Sequence, residues 1–247
     1  MRYFVLFSYR GTDYHGSQRQ PNGITVQEVL EDAFYTILRV PVALTFAGRT
    51  DAGVHAKCMY AHFDVLQRIE EPERLVGRLN NLLPYAIAVK EIRRVKEDAH
   101  ARFDALSRTY EYHTIPCKDP FAHKLVARVE PGLDVTLMNQ AAELLLGRHD
   151  FASFCRVHTD VKTTFCNVMA AYWEDGVFHI QADRFLRNMV RAVVGTLFDV
   201  GRHKKSIEDF KQIIQAKNRC VAGQSAPAEG LYLVGIEYSE DIFIENI

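Results

Sequence analysis

Cysteine is sparse and poorly arranged for cross-linking: Cys58, Cys117, Cys155, Cys166 and Cys220 are odd in number and nowhere form a Cys-x-x-Cys pair. This argues against a disulfide framework and points to a reducing, cytoplasmic setting. Long apolar runs are also missing, and nothing approaches the ~18 to 20 consecutive apolar residues of a membrane helix. The apolar start, Tyr3 to Phe7, is too short for a signal-peptide core and runs into Ser8-Tyr9-Arg10 instead of a small-residue cleavage site. It reads as a first strand. Excess charge is absent as well: 30 Lys and Arg against 31 Asp and Glu leave a net charge of −1, so no overall field announces a polyanionic partner. Acid collects in Ile69-Glu70-Glu71-Pro72-Glu73 and Glu97-Asp98, whereas Arg10, Arg19, Arg49, Lys162, Arg184, Arg187, Arg191 and Arg202-His203-Lys204-Lys205 lie elsewhere. A basic cleft on an acidic body is compatible with that distribution. There is no low-complexity stretch, residue-level repeat or flexible linker.

What is present is a chain of 247 residues with 48% apolar side chains, enough for one large domain or two small ones with real cores. Tyr3 to Tyr9 reads as a strand and Arg10 to Gly23 as a polar loop. Thr25-x-x-Glu28 opens a helix as a capping box, and Val26, Val29, Leu30, Ala33, Phe34, Ile37 and Leu38 recur at helical spacing. Strands follow at Val42 to Ala47 and Lys57 to Val65. The second alternates Met59, Ala61, Phe63 and Val65 against Cys58, Tyr60, His62 and Asp64, as expected with one face buried. A helix through Leu75, Val76, Leu79, Leu82 and Leu83 stops at Pro84, and a strand runs from Ala86 to Val95. This strand, helix, strand, strand, helix, strand order is the ferredoxin-like βαββαβ unit.

Beyond it come a strand from Leu106 to Thr114, a helix from Thr136 to Leu146 closed by Gly147, and a hairpin through Asp175-Gly176. Helices from Leu186 to Val200 and Ser206 to Lys217 and a strand from Leu231 to Tyr238 complete the series. The second half roughly repeats the element order of the first. The expected fold is α+β, two ferredoxin-like halves, 1–103 and 104–247, fused through one mixed, mainly antiparallel sheet.

The most informative segment is Gly48-Arg49-Thr50-Asp51-Ala52-Gly53-Val54-His55-Ala56, read as a connection between two strands. The glycines allow a ligand near the main chain. Arg49 and Asp51, two apart in extended chain, can point the same way, and a neighbouring guanidinium favours an ionised carboxylate. That suits a nucleophile or an electrostatic stabiliser; an Asp between glycines equally suits a turn bonded to its own backbone. Arg191 lies at the margin of the apolar stripe Leu186, Met189, Val190, Val193 and Leu197, where a surface arginine is the plain reading. Tyr110 shares a strand face with Tyr112, an ordinary core position.

The string Ala47 to Ala56 resembles the signature of the tRNA pseudouridine synthase A family. Other segments agree in order and spacing: Tyr14-His15-Gly16 with Gln18-Arg19-Gln20, His100-Ala101-Arg102-Phe103 leading to Arg108-Thr109-Tyr110, Phe185 with Met189-Val190-Arg191 and Gly195, and Ala228-Glu229-Gly230-Leu231-Tyr232-Leu233. The resemblance spans nearly the whole chain. It implies the pseudouridine synthase fold with a central cleft between the halves, and isomerisation of uridine in the tRNA anticodon stem-loop without metal or organic cofactor. It also implies a homodimer with tRNA as partner and no membrane. Asp51 would start the reaction, by covalent attack or by removing a ribose proton; Arg191 would be its ion-pair partner and Tyr110 would stack on the target base. Arg49 would hold phosphate or fill the gap of an extruded base, with Leu231 and Leu233 as apolar wall and Tyr14, His15, Gln18 and Arg19 as RNA-contacting loop. The stretch Cys155 to Cys166 departs from the family pattern, and no RNA contact is carried over onto it.

Two rival functions are open to the same residues. A metal-dependent hydrolase would use Asp51 and His55, with His158 near Cys155 and Cys166; the spacing lacks the fixed helical face of i, i+4 metal pairs and a second matching ligand pair. A non-catalytic RNA-binding module would use a ferredoxin-like sheet with exposed aromatics, but the expected Lys/Arg-Gly-Phe-Gly-Phe strand motif is missing.

Overall fold

The computed structural model describes residues 1–156 and 162–244, so His158 lies outside the described residues. The chain forms two compact units, one of Met1–Leu106 together with the chain from Leu233 onward, the other of Ser107–Tyr232.

In the first unit, β1 (Arg2–Tyr9), α1 (Val26–Leu38), β2 (Thr45–Phe46), β3 (His55–Asp64), α2 (Pro72–Leu82) and β4 (Ile87–Val95) follow the expected order. β1 lies between β3 and β4, antiparallel to both, and β2 pairs with β3 through Thr45↔His62 and Phe46↔Ala61. Thr25 caps α1 by accepting from the Glu28 N–H, and Val26, Leu30, Ala33 and Phe34 face inward. Phe34 packs on Phe63 with ring centroids 4.9 Å apart. β2 is shorter than the expected Val42 to Ala47 because α1 captures the Leu44 backbone: its N–H donates to the Glu31 carboxylate (3.0 Å) and its carbonyl accepts from the Gln27 amide (3.0 Å).

The expected burial of one face of β3 holds for Met59, Ala61 and Phe63. His62 departs from it at 6% exposure. Segment 99–104 covers it: the Ala101 N–H donates to His62 Nδ1 (3.1 Å) and the His100 ring packs edge-on at 4.6 Å. The chain beyond Leu233 completes this unit. Its bonds run from Leu106 N–H to Glu237 O (2.8 Å), from Lys96 N–H to Ile242 O (2.9 Å) and from Ile244 N–H to Arg94 O (3.0 Å). Tyr238 and Phe243 pack edge-on to Phe4.

The second unit contains β5 (Ser107–Ile115), β6 (Ala127–Arg128), α3 (Val135–Glu143), β7 (Gly147–Asp150), β8 (Phe165–Glu174), β9 (Val177–Ala182), α4 (Met189–Gly201) and α5 (Ile207–Ala216). β5, β9, β8 and β7 are neighbours in that order, each pair antiparallel, with short β6 parallel to β5. The β8–β9 turn puts Asp175 (φ 48°) and Gly176 (φ 78°) in the left-handed region, the type I′ geometry whose twist matches paired strands. Tyr112, Trp173, Phe178 and Phe198 form the ring cluster between sheet and α4. Ser206 and Asp209 form a full capping box on α5. β10 (Leu231–Glu237) straddles the division, with Leu231 and Tyr232 in the second unit and the remainder in the first. The architecture is α+β with a mixed, mainly antiparallel sheet. No helix among the described residues is long and apolar enough to cross a membrane.

Candidate active site

Asp51 sits on a short arch between β2 and β3. After Ala47, whose N–H donates to Tyr60 O (2.8 Å), the chain leaves the ladder. It returns through a turn closed by the Val54 N–H donating to Asp51 O (3.2 Å), with Gly53 at φ 81°. A positive φ at the third residue is the type II requirement that glycine meets without strain. Asp51 is therefore a turn residue in its main chain, as the glycine pattern allows, and the residue is half-buried.

The arch is braced by segment 9–17. Thr50 is nearly buried. Its N–H donates to Ser17 Oγ (2.9 Å), its carbonyl accepts from the Ser17 N–H (3.2 Å), and its hydroxyl pairs with the Tyr9 phenol (2.8 Å). Beyond the turn, His55 is 1% exposed and its Nδ1 accepts from the Gly11 N–H (3.1 Å). Gly16 (φ 92°) lies so close that a Cβ there would come 2.9 Å from Thr50 O. The main chain before Asp51 is thus fixed by groups far away in sequence, and the chain after it by a local turn followed by a buried side chain bonded to Gly11.

Other candidates in this unit divide by burial. Arg49 is exposed on the arch. Tyr14 is 8% exposed, and burial raises its phenol above the ordinary range; it packs the loop. His15 is exposed, with its main-chain N–H donating to Ile24 O (2.9 Å), and Gln18 is half-buried. Arg19 pairs with Glu31 (3.0 Å) and Glu28 (3.5 Å), and Arg10 lies 3.8 Å from Asp13. Leu233 is 1% exposed.

The second unit holds Tyr110, Arg191 and Leu231. Tyr110 lies on β5 opposite Ile180, half-buried, its ring perpendicular to Phe185 at 5.1 Å. Arg191 is in the first turn of α4, and a strap, residues 223–227, holds it from both ends. Its Nε donates to Ala226 O (2.7 Å), and its own carbonyl accepts from the Ala226 N–H (2.9 Å). Gly195, one turn further, makes the close approach possible, because a Cβ there would collide with the Gln224 carbonyl oxygen. The strap is fixed in turn by Arg219, donating to Gly223 O (3.0 Å) and Ser225 Oγ (3.0 Å), and by the Tyr112 hydroxyl, donating to Pro227 O (2.9 Å). Burial raises the Tyr112 phenol, and the nearby Arg191 charge opposes that rise. Leu231 is 6% exposed.

The structure thus assembles Asp51 with Arg49 on one braced arch and mounts Arg191 on a separate clasp. Sequence reasoning missed the braces themselves: Tyr9, Ser17, Thr50, Arg219 and Ala226. Thr50 lies inside the Gly48 to Ala56 segment and Ser17 falls in the gap between Tyr14-His15-Gly16 and Gln18-Arg19-Gln20, so position was the one available signal; Ala226 acts through its main chain and offers none. His55, considered above as a metal ligand, has its Nδ1 committed to Gly11, and no group of three His, Cys, Asp or Glu suited to a metal occurs among the described residues. Arg202 is bonded to Glu130 and lies 3.7 Å from Asp199, so much of its charge is locally offset.

The sequence matches the family model described as tRNA pseudouridine synthase over residues 5–104 and 141–239. It is 52% identical over 247 residues to the tRNA pseudouridine synthase A of Bacteroides fragilis, covering 98% of both chains. It is 50% identical over 250 residues to the protein of that name from Porphyromonas gingivalis, covering 98% of this chain and 99% of the other. With the Colwellia psychrerythraea protein of the same name, identity is 40% over 247 residues, 98% and 95% of the two chains. The family model spans the Asp51 arch and the start of α4, the match to the Bacteroides fragilis protein runs over nearly the whole chain, and the chain belongs to the tRNA pseudouridine synthase family.

Proposed function

We propose that the protein isomerises uridine to pseudouridine in the anticodon arm of tRNA, acting in the cytoplasm as a homodimer. The observation that carries the reading is the braced arch, which gives one carboxylate a fixed main-chain position within the stretch that the family model matches. The reaction breaks the bond from ribose C1′ to N1, turns the base over and joins C1′ to C5. The C5 proton leaves and N1 gains one, so atoms balance and no oxidant or reductant is needed.

Asp51 starts this chemistry as an ionised carboxylate, either adding to the nucleotide or removing a ribose proton. Arg191 supplies the cation that favours the charged form. Tyr110 stacks on the base, and its phenol has the chemistry to take or relay the C5 proton. Arg49, exposed beside Asp51, contacts phosphate or fills the gap left by the flipped nucleotide; Leu231 and Leu233 supply apolar wall. His15 and Gln18 extend the RNA contact, whereas burial of Tyr14 and the carboxylate partners of Arg19 favour structural roles for those two.

Incubation with unmodified tRNA, followed by chemical mapping of pseudouridine, tests the activity. Product in the anticodon arm is expected from wild type and none from Asp51→Asn, with tRNA affinity retained within a few-fold. Binding without any turnover by wild type would instead leave a non-catalytic RNA-binding protein.

A further inference from the structure

We infer that Tyr9, Ser17 and Thr50 are positioning residues for the reaction, acting on Asp51 through the main chain; the inference rests on the reading of Asp51 as the reacting carboxylate. Thr50 precedes Asp51 directly, and its N–H, carbonyl and hydroxyl are all taken by partners outside the arch: Ser17 Oγ at 2.9 Å, the Ser17 N–H at 3.2 Å and the Tyr9 phenol at 2.8 Å. A turn holds the chain on the other side of Asp51. Three restraints on one residue exceed what strand closure requires. Ser17 is 0% exposed, so its hydroxyl has no solvent role and serves as the acceptor for the Thr50 N–H.

The direction of a carboxylate depends on the backbone angles at its own Cα, and those are set by the peptide planes on either side. One of the two planes flanking Asp51 includes the Thr50 carbonyl that Ser17 holds. A shift of about 1 Å in a reacting group can cost on the order of a hundredfold in rate, so a loose Thr50 would lower turnover without weakening RNA affinity. The Tyr9–Thr50 hydroxyl pair is the part most open to test. Phenylalanine and valine remove one hydroxyl each while conserving shape.

The test is steady-state kinetics on unmodified tRNA together with filter-binding affinities, for Tyr9→Phe, Thr50→Val, the double variant, Thr50→Ser and the control Asp51→Asn. Tyr9→Phe and Thr50→Val are each expected to lower kcat roughly ten- to a hundredfold, with KM and Kd within about twofold. The double variant should lose no more than the worse single one, because both delete the same bond. Thr50→Ser, which keeps the hydroxyl, should recover most of the kcat. Wild-type kcat in both single variants would overturn the inference, as would losses that multiply in the double variant or a Thr50→Ser no better than Thr50→Val. Should Tyr9→Phe fold poorly by circular dichroism, the Thr50→Val and Thr50→Ser comparison still decides. Full activity of Asp51→Asn would overturn the underlying reading; an inactive Asp51→Asn beside undiminished Tyr9→Phe and Thr50→Val would overturn the positioning role alone.

Discussion

Acid should loosen the first unit through His62. Its ring lies at 6% exposure on the middle of β3, with Nδ1 accepting from the Ala101 N–H, so the neutral form is built into the fold. Protonation at Nδ1 would set one N–H against another. Burial lowers its pKa from 6.5 to about 4, assisted by the charges of Arg2 and His100 and opposed by Asp64 and Asp104. Above pH 6.5 the ring is neutral in both folded and unfolded chains and exerts no pH dependence. Between pH 6.5 and about 4 the unfolded chain takes up a proton that the folded one refuses, so stability falls as pH falls; below about 4 this group adds nothing further. A proton bound at 6.5 when unfolded and at about 4 when folded corresponds to ~3 kcal/mol. The assay is hydrogen exchange of β1 and β3 amides, in wild type and His62→Gln, at pH 7 and pH 4.5 after correction for intrinsic rates. Glutamine keeps an acceptor and cannot titrate. Wild type is expected to lose ~2 to 3 kcal/mol more protection than the variant over that interval. Identical losses would refute the argument. The Asp64 carboxyl, held below the usual carboxylate range by Arg2, loses its contribution at lower pH and does not mimic the effect.

Gly195→Ala should cost ~1 to 3 kcal/mol or more, because the added methyl forces α4 away from the strap that clasps Arg191; urea titration and turnover should fall together, and a stable, active variant would contradict the clasp. Tyr110→Phe should bind tRNA and stall after the base is reattached, whereas Tyr110→Ala should also lose ~1 to 3 kcal/mol of stacking; wild-type turnover by the phenylalanine variant would leave only the ring with a role. Arg19→Ala should alter tRNA affinity less than Arg49→Ala, since Arg19 is already held by two carboxylates; filter binding across a salt series compares their slopes. Light scattering should report a dimer, and a fully active monomer would remove the need for one.

Local chemistry made much of the fold legible. Thr25 does cap α1, α2 gives way before Pro84, and Asp175-Gly176 makes the expected hairpin, because each signal acts within a few residues. Expectation failed where side chains from elsewhere intervened. Val42 and Leu44 are buried as an apolar strand would be, yet Glu31 and Gln27 take the Leu44 backbone out of the ladder. His62 alternates as an outward residue until segment 99–104 covers it. β6, at two residues, is too short for periodicity to register. At the site, the glycines around Asp51 announced the arch. Its braces come from positions 33 and 41 residues away, and a serine or tyrosine hydroxyl carries no mark of a distant partner.

The first unit begins at Met1 but is completed only by the chain beyond Leu233. That discontinuity has a meaning for synthesis. A ribosome delivers β1 through β4 early, at about 5 to 20 residues per second, yet the partners of Lys96, Arg94 and Leu106 emerge only after the whole second unit has been made. The arch bearing Asp51 can therefore form in a nascent chain whose sheet is still open beside Phe4 and Tyr60, exposing an edge and apolar rings for several seconds. Of the two units, the one that starts first is the last to close.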